Sequence, residues 1–476
     1  MQKNGLIAIV KRDCPTCVMV TPVLQEILQT NDLKIYSQDD PKFPDGVDGV
    51  ADDTTLDVSY NLDIEIVPTL VRFEDGKEID RTYGWDRTAW ENITATTGLG
   101  VDLPDFKPGC GALNQEQGHL AKLRIRHGDT PMISRLIPLG ENQDAIEACF
   151  ERGWSDGLPV VPPTQSRVMA MLEGTTRSAD ENLGLMPSNL DVCTVEKVAI
   201  NAVMAGCRPE YLPVVLAAIE AVLDEDYCLH GTLATTRFVG PVVIVNGPIA
   251  QHIGMNGKGN ALGQGNRANA TIGRAVQLAI RNIGGGKPQG VDRATLGNPG
   301  KLSYCFCEDE EGSSWEPLTI DRGLPAGTNA VTVFAGYGLQ GVIDDKARSP
   351  EELVQTLATS LHAVDNIHKI PGPDCLLVVC PEHERTLIEG GWDKARLHSE
   401  LMDRMQLPAE AVMRGAHGMA EGVKPELAGQ MVSKLLPTGL LIVRAGGGAG
   451  KFSGIIAGWT PGVPVSSRPV TKEIKT

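Results

Sequence analysis

The first hydrophobic pattern in the chain is short and dense. "GLIAIVKR" (5–12) is a continuous apolar run that is too short for a buried helix, so it predicts a buried strand. In "CVMVTPVLQEILQTN" (17–31) the apolar positions recur at helical spacing, which predicts an amphipathic helix ending near Asn31. "IEIVPTLVRFEDGKEIDRTYGW" reads as a hairpin with its turn at "EDGK", and "WDRTAWENITATTG" (85–98) closes the region as a helix. Residues 99–138, with "PDFKPGCGA" and the basic "KLRIRHGD", lack a sustained period and read as a linker.

From residue 139 the pattern changes. Helical stretches such as "VEKVAINAVMAGC" and "PEYLPVVLAAIEAVLDED" alternate with apolar runs that read as buried strands. The runs are "FVGPVVIVNGP", "AVTVFAG", "CLLVVCP" and "GLLIVRAGGG"; "LPVVPPT" reads as a further strand-like run broken by prolines. Such alternation predicts an α/β region with a parallel or mixed sheet over 139–476, with room for two subdomains. No repeat of short period is visible.

Composition narrows the function classes. The net charge of −17 argues against a nucleic-acid surface, which needs cations to displace counterions. No apolar run approaches the roughly 18 residues of a membrane span, and the N-terminus lacks a signal-peptide pattern. A cytoplasmic location is expected, with the eleven cysteines as thiols rather than a disulfide scaffold.

Cys14 and Cys17 stand two residues apart at a predicted helix start, where the helix dipole favours a thiolate. A second thiol at that spacing can resolve a mixed disulfide formed by the first. Zinc is a poor alternative, because no second pair of ligands follows within a hundred residues.

"CPTCVMVTP", with Pro22 eight residues after Cys14, the "VPT" loop around Pro68, the hairpin and Gly84 after its last strand resemble the thioredoxin fold over residues 1–98. The resemblance implies a cis-proline loop packed against the cysteines, with catalysis by Cys14, Cys17 and Pro68. Two departures stand out. Pro15-Thr16 replaces the usual Gly-Pro, and Ala8 falls where many thioredoxins carry a buried acid. The acidic "SQDDPKFPDGVDGVADDTTL" (37–56) is longer than the family's usual connection and reads as an insertion, either facing a partner or forming a solvated turn. Cys110 is close enough along the chain to exchange with the pair, or is an incidental linker thiol.

In the large region three loops carry candidate chemistry. "NGPIAQHIGMNGKGNALGQGNRANATIGRA" (246–275) offers backbone N–H groups and Arg267 as a cradle for a carboxylate or phosphate. Asn246, Gly247, Asn256 and Asn269 are its candidate binding residues. "GNPGKLSYCFCEDEEGSSWEPL" (297–318) puts Cys305 and Cys307 on one face of an extended segment. These are nucleophilic thiols aided by Lys301, soft-metal ligands or core residues, and the adjacent acids oppose thiolate formation. "RAGGGAGKFSGIIAGW" (444–459) departs from a P-loop at Ala445 and Phe452, leaving a glycine-lined loop with Lys451 as counter-charge. Cys380 and His383 are spaced as a thiol–base pair at a helix start.

"TVEKVAINAVMAGCRPEYLPVV", "VNGPI", "RANATIGRA" and "NPGKLSYC" resemble stretches of the UGSC family of (seleno)proteins across residues 139–476. That resemblance implies cysteine- or selenocysteine-based redox chemistry, with Cys207 and Cys305 as the thiols to test. The Cys-Gly-Ser-Cys signature is absent, and "GCGA" (109–112) is only a partial echo of it.

The expectation is a thiol-dependent oxidoreductase in which the Cys-x-x-Cys module serves the fused α/β region. The substrate would be small and anionic, with an external thiol as reductant and a homo-oligomer allowed. Neither nucleic acid nor membrane is expected as a partner, and no nicotinamide, flavin or metal is called for. The alternatives are a lyase or hydrolase centred on the α/β region, and a metal- or thiol-binding, chaperone-like protein.

Overall fold

The computed structural model describes residues 3–116, 118–365, 374–412, 425–459 and 467–475. The chain forms two compact units, Met1–Thr130 and Pro131–Thr476, of mixed α/β architecture. Among the described residues no helix is long and apolar enough to cross a membrane.

In the first unit, strand β1 (Gly5–Val10) runs into helices α1 (Pro15–Met19) and α2 (Thr21–Thr30). Pro22, which has no N–H to continue the first helix, sits at the start of the second. The chain then forms β2 (Leu33–Ser37), β3 (Ala51–Asp52) and α3 (Asp57–Asn61). Next come β4 (Ile66–Val67), the hairpin β5 (Thr69–Glu74) and β6 (Lys77–Tyr83), β7 (Trp85–Asp86) and α4 (Arg87–Thr94). Five strands make one sheet in the order β3-β2-β1-β5-β6. Its β1–β2 and β2–β3 pairs are parallel, and its β1–β5 and β5–β6 pairs antiparallel. Central β1 has Leu6 to Val10 all buried, as expected of a strand covered on both faces.

The unit does not stop at residue 98. Strand β8 (Phe106–Lys107) pairs with β7, β9 (Cys110–Gly111) pairs with β4, and α5 (His119–His127) follows. Residues that read as a linker are therefore partly a strap across the first unit.

The second unit begins with α6 (Ala145–Glu151), α7 (Gln165–Leu172), the hairpin β10 (Asn182–Met186) and β11 (Asp191–Thr194), and α8 (Val195–Ala205). Helices α9 (Leu212–Leu223) and α10 (Leu229–Ala234) lead to β12 (Gly240–Asn246). The "LPVVPPT" run, expected as a strand, forms none, since three of its seven residues are prolines without a ladder donor. Beyond β12 lie α11 (Pro248–His252), α12 (Arg267–Asn282), β13 (Cys305–Cys307), α13 (Leu318–Asp321), β14 (Ala330–Gly336) and β15 (Gln340–Ile343). Then follow α14 (Pro350–Ala363), β16 (Cys375–Val379), α15 (Pro381–Glu389), α16 (Lys394–Arg404), β17 (Gln406–Pro408) and α17 (Ala409–Val412). The last strands are β18 (Met431–Ser433), β19 (Leu440–Arg444), β20 (Phe452–Ala457) and β21 (Val470–Glu473).

Two four-stranded sheets result, β13-β12-β14-β21 and β19-β16-β20-β15. They share one plan. A central strand (β12 or β16) has a parallel neighbour on one side and an antiparallel one on the other, followed by a further antiparallel strand. The outer strand is exchanged between the halves, because β15 follows β14 but pairs with β20, whereas β21 follows β20 but pairs with β14. Gly336 and Gly458 bridge the two sheets.

Strict alternation along the strands assigns the layers. Val242, Ile244, Phe306, Phe334, Leu376, Val378, Leu441, Val443 and Ile456 share one core between the sheets. Val243, Val245, Cys305, Cys307, Val331 and Val333 instead face α8, α9 and α12. Cys375, Leu377, Ile442 and Ile455 face α14 and α16. The order is helix, sheet, sheet, helix. Phe306 is fully buried between the sheets. Phe306→Ala is expected to destabilise the larger unit by about 3–5 kcal/mol, measured as a lower urea midpoint of its unfolding transition.

Candidate functional site

Strand β1 aims the chain at its chemistry. Just past its end, Cys14 has extended backbone (φ −143°, ψ 110°) and acts as N-cap of α1, with Pro15 in the first helical turn. Cys14 Sγ accepts a hydrogen bond from the Cys17 backbone N–H at 3.3 Å. It also lies 3.5 Å from the carbonyl oxygen of Val67, the residue before Pro68, and the Val67–Pro68 peptide is cis. Cys14, Cys17 and the Pro68 loop, singled out separately in the sequence, thus form one cluster.

Donors around Cys14 fix its protonation. The Cys17 thiol, then the Cys17 backbone and the Cys110 thiol, hydrogen-bond its sulfur and outweigh burial, bringing Cys14 down to about 5. Cys17 moves well above the ordinary thiol value, first because it is buried and then because it donates to Cys14 beside that charge. Cys110 is also raised, by burial and by the same kind of bond to Cys14. The three shifts together favour a thiolate on Cys14 over one on Cys17 or Cys110.

The strap carries Cys110 to that place. In the β4–β9 pair Cys110 stands opposite Val67, and Thr16 Oγ1 donates to Pro108 O at 2.7 Å. A side chain on Gly109 would come within 2.4 Å of Ile66 Cγ2 and 2.6 Å of Val67 O, so only glycine permits the approach. Past β9, Ala112 N–H donates to Glu65 O at 2.9 Å and Asn114 Nδ2 to Ile64 O at 2.8 Å. With the strap in place Cys14 and Cys17 have no exposed surface.

The acidic insertion is no free loop either. Arg12, two residues before Cys14, binds Asp40 and Asp45 through its guanidinium, and its backbone N–H donates to Asp39.

In the larger unit the three candidate loops meet. Gly446 N–H donates to Gly257 O, and Asp309 N–H to Arg444 O, each at 2.9 Å. Several donors of the expected anion cradle bond the protein's own groups. Asn246 Nδ2 donates to Glu308 and Glu310, and Gly247 N–H also donates to Glu310. Asn266 caps α12 by accepting from Asn269 N–H, Asn269 Nδ2 donates to the carbonyls of Asn256 and Ala261, and Asn256 N–H donates to Asn269 Oδ1. Arg267 Nε donates to Gly206 O at 3.0 Å. Lys451 Nζ donates to Ala347 O at 3.1 Å. Lys301 is not with them: it pairs with Asp292 at 2.9 Å and reaches Val239 O, at the opposite end of β12 from Asn246.

Cys305 and Cys207 lie in the helix-side core, and burial raises both thiols, Cys207 to about 12. Cys307 is likewise raised, mainly by burial and further by Asp309, Glu310 and Glu308. Among the described residues no group of three or more His, Cys, Asp or Glu side chains is placed to hold a metal.

A different thiol in this unit is shifted in the opposite direction, downward. Cys380, at the end of β16, caps α15 and receives its partners from two elements. Burial would raise its thiol, but the hydrogen bonds from the His383 side chain and backbone prevail and lower it. Burial would lower His383, and its bond to Cys380 raises it instead. His383 Nδ1 lies 2.7 Å from Ser453 Oγ, which accepts from Cys380 N–H at 3.1 Å, and His383 Nε2 lies 3.1 Å from Asp344 O. The Cys380–His383 spacing was visible in the sequence, but Ser453, on β20, had no local signal. An apolar cleft of about 780 Å³ lined by Met132, Cys149, Trp154, Ile200 and Met204 holds none of the sequence-predicted site residues.

Comparison with models of known protein families, with curated proteins and with solved structures finds no match for this chain.

Iodoacetamide labelling of Cys14, read by peptide mass spectrometry, is expected to rise through about pH 5 and to level off by neutrality, because only the thiolate attacks. Cys17→Ala removes the principal donor and should move the midpoint upward by about one unit. An unmoved midpoint would exclude the Cys17 thiol as that donor.

Proposed function

We propose that Met1–Thr130 is a thioredoxin-like module that exchanges thiols for disulfides through Cys14 and Cys17. The observation that carries the reading is the donation from Cys17 to Cys14 Sγ beside the cis-proline loop, which makes one thiolate and keeps one thiol in reserve. Further support comes from the strand order, a parallel β1–β2 crossover followed by an antiparallel hairpin, with the two cysteines just beyond the central strand.

The chemistry balances as follows. Cys14 thiolate attacks one sulfur of a disulfide R–S–S–R, forming Cys14–S–S–R and releasing RS⁻, which takes up a proton. Cys17 then loses its proton and attacks Cys14 Sγ, forming the Cys14–Cys17 disulfide and releasing the second thiol. Once Cys14 is bound in the mixed disulfide its charge is gone. Two of the causes that hold Cys17 protonated go with it, and burial remains. Two equivalents of an external thiol return the pair to the reduced state, the first forming a mixed disulfide and the second releasing it as RSSR.

A second reading concerns the larger unit. The Cys380–His383–Ser453 arrangement favours a thiol nucleophile of hydrolase or lyase type there, in preference to Cys207 or Cys305. This reading stands beside the anionic-substrate cradle around Arg267, whose Nε donates to Gly206 O.

At pH 5, and with the strap open, Cys14 is expected to react with a dipyridyl disulfide about thirty- to a hundredfold faster than an ordinary thiol, since its larger thiolate fraction outweighs its lower nucleophilicity. Thione release follows the reaction, and a non-reducing peptide map should show the Cys14–Cys17 disulfide. Cys14→Ser should abolish the fast phase, and retention of that phase would refute the exchange reading. For the second reading, His383→Gln should slow alkylation of Cys380 at pH 7 by about tenfold or more. An unchanged rate would remove His383 from the role of base.

A further inference from the structure

The strap gives the thiol centre a third sulfur. Three independent features place it there. Residues 66–67, directly before the cis-proline, pair in antiparallel fashion with residues 110–111 of the same chain, and Cys110 is the partner of Val67. The carbonyl of Val67 is also the one that Cys14 Sγ approaches, so Cys14, Val67 and Cys110 converge at one point. The backbone around Cys110 is fitted for close approach: Gly109 tolerates no side chain against Ile66 and Val67, and a side chain on Gly84 (φ +62°) would come within 2.7 Å of Gly109 N.

A strand added along a free edge is a general way of presenting an extended peptide, with the backbone supplying register and alternate side chains the chemistry. Here the added strand is internal, and its cysteine falls in the register position nearest the nucleophile. On the basis of the exchange reading, we propose that residues 107–111 are a tethered internal substrate and that Cys110 is a third exchanging thiol of the centre. The Cys110 thiolate attacks Cys14 Sγ of the oxidised pair, the Cys14–Cys17 bond breaks, and Cys17 leaves as a thiolate that takes up a proton. No electrons are gained or lost, since one disulfide replaces another.

Two consequences follow. The oxidised centre is shared between Cys14–Cys17 and Cys14–Cys110, and the tether supplies Cys110 at a high effective concentration. The strap also excludes an external extended peptide until it leaves the 66–67 edge, so bulky partners reach Cys14 only through its opening. Small disulfides need less clearance. Opening breaks the two short strand pairs and the Thr16 Oγ1 bond to Pro108 O that hold the middle of the strap. Its flanks are anchored by Trp85 Nε1 donating to Pro104 O at 2.5 Å, and by Gln38 Oε1 accepting from Leu113 N–H at 3.0 Å. Pro108 and Gly111 between them are exposed.

The test uses the full chain. Cys17→Ser is treated with oxidised glutathione, quenched in acid and mapped without reduction. Cys14 first takes up glutathione, releasing one reduced glutathione, and Cys110 then displaces the second. The expected product is a peptide pair joined through Cys14 and Cys110. A stable glutathione adduct on Cys14 with Cys110 free would overturn the proposal. Wild-type protein, oxidised and quenched in the same way, needs no substitution: Cys14–Cys110 should appear there as a minor species beside Cys14–Cys17, and its complete absence counts against the proposal. If wild type forms no Cys14–Cys17 bond at all, the exchange reading itself fails, so the two failures are distinguishable. Gly109→Ala, which pushes the strap off the edge, should speed capture of Cys14 by a maleimide-bearing polyethylene glycol about tenfold. An unchanged rate would contradict a strap that controls access.

Discussion

Cys14 Sγ collects hydrogen-bond donors from three places, and the first unit is arranged around that convergence. The Cys17 N–H reaches it because α1 starts where it does, and α1 starts there because Cys14 is extended and Pro15 is ready for a first turn. The Cys17 thiol reaches it because one helical turn separates the two residues. Cys110 reaches it because a two-residue strand pairs with Ile66–Val67. Sulfur that accepts from several donors holds negative charge more readily than sulfur in water, and burial then confines that charge to one atom. Removing any of the supporting elements, the β1 end, the Pro68 loop or the strap, alters the same sulfur.

The larger unit depends on a different constraint, the exchange of outer strands. Because β15 completes the sheet of β16, β19 and β20, and β21 completes that of β12, β13 and β14, neither half keeps a full sheet without the other. The common core between the sheets reinforces this. The shared plan also puts equivalent strand-to-helix turns at the ends of the two central strands. Asn246-Gly247-Pro248 follows β12 and Cys380-Pro381 follows β16, each with a proline in the first turn of the next helix. One turn binds Glu308 and Glu310, and the other carries the thiol that His383 polarises. Under a similar framework the two turns differ in chemistry, and the thiol turn is the one with a histidine beside it.

Much of this was legible from local patterns. The apolar run at 5–10, the hairpin around Asp75-Gly76 and the alternation of helices and strands beyond 139 are short-range signals, and the structure follows them. The Cys14/Cys17 pair is legible by type and spacing, and the Pro68 loop through the resemblance to the thioredoxin fold. Other features left no such trace. Strands β8 and β9 are two residues each, too short for any period, so proline and glycine near Cys110 were read as irregular linker when glycine there permits close strand contact. Exposed N–H groups and long cations in a glycine-rich loop look free in sequence, but in three dimensions Arg267, Lys301 and Lys451 each donate to a nearby carbonyl. Cys305 and Cys307 do share a face, but that face is the one under the helices, where a thiol is core. Strand exchange was invisible because it joins segments about 130 residues apart.

The central claim is that Cys14 and Cys17 act as one two-electron centre. Equilibrating the full chain in graded glutathione redox buffers, quenching in acid and counting protected thiols by peptide mass spectrometry tests it most directly. The account predicts that Cys14 and Cys17 become protected together, with a slope of about 30 mV per tenfold change in the oxidised-to-reduced ratio. Oxidation of Cys14 with most of Cys17 left unprotected, or no protection of either across the whole range, would contradict it.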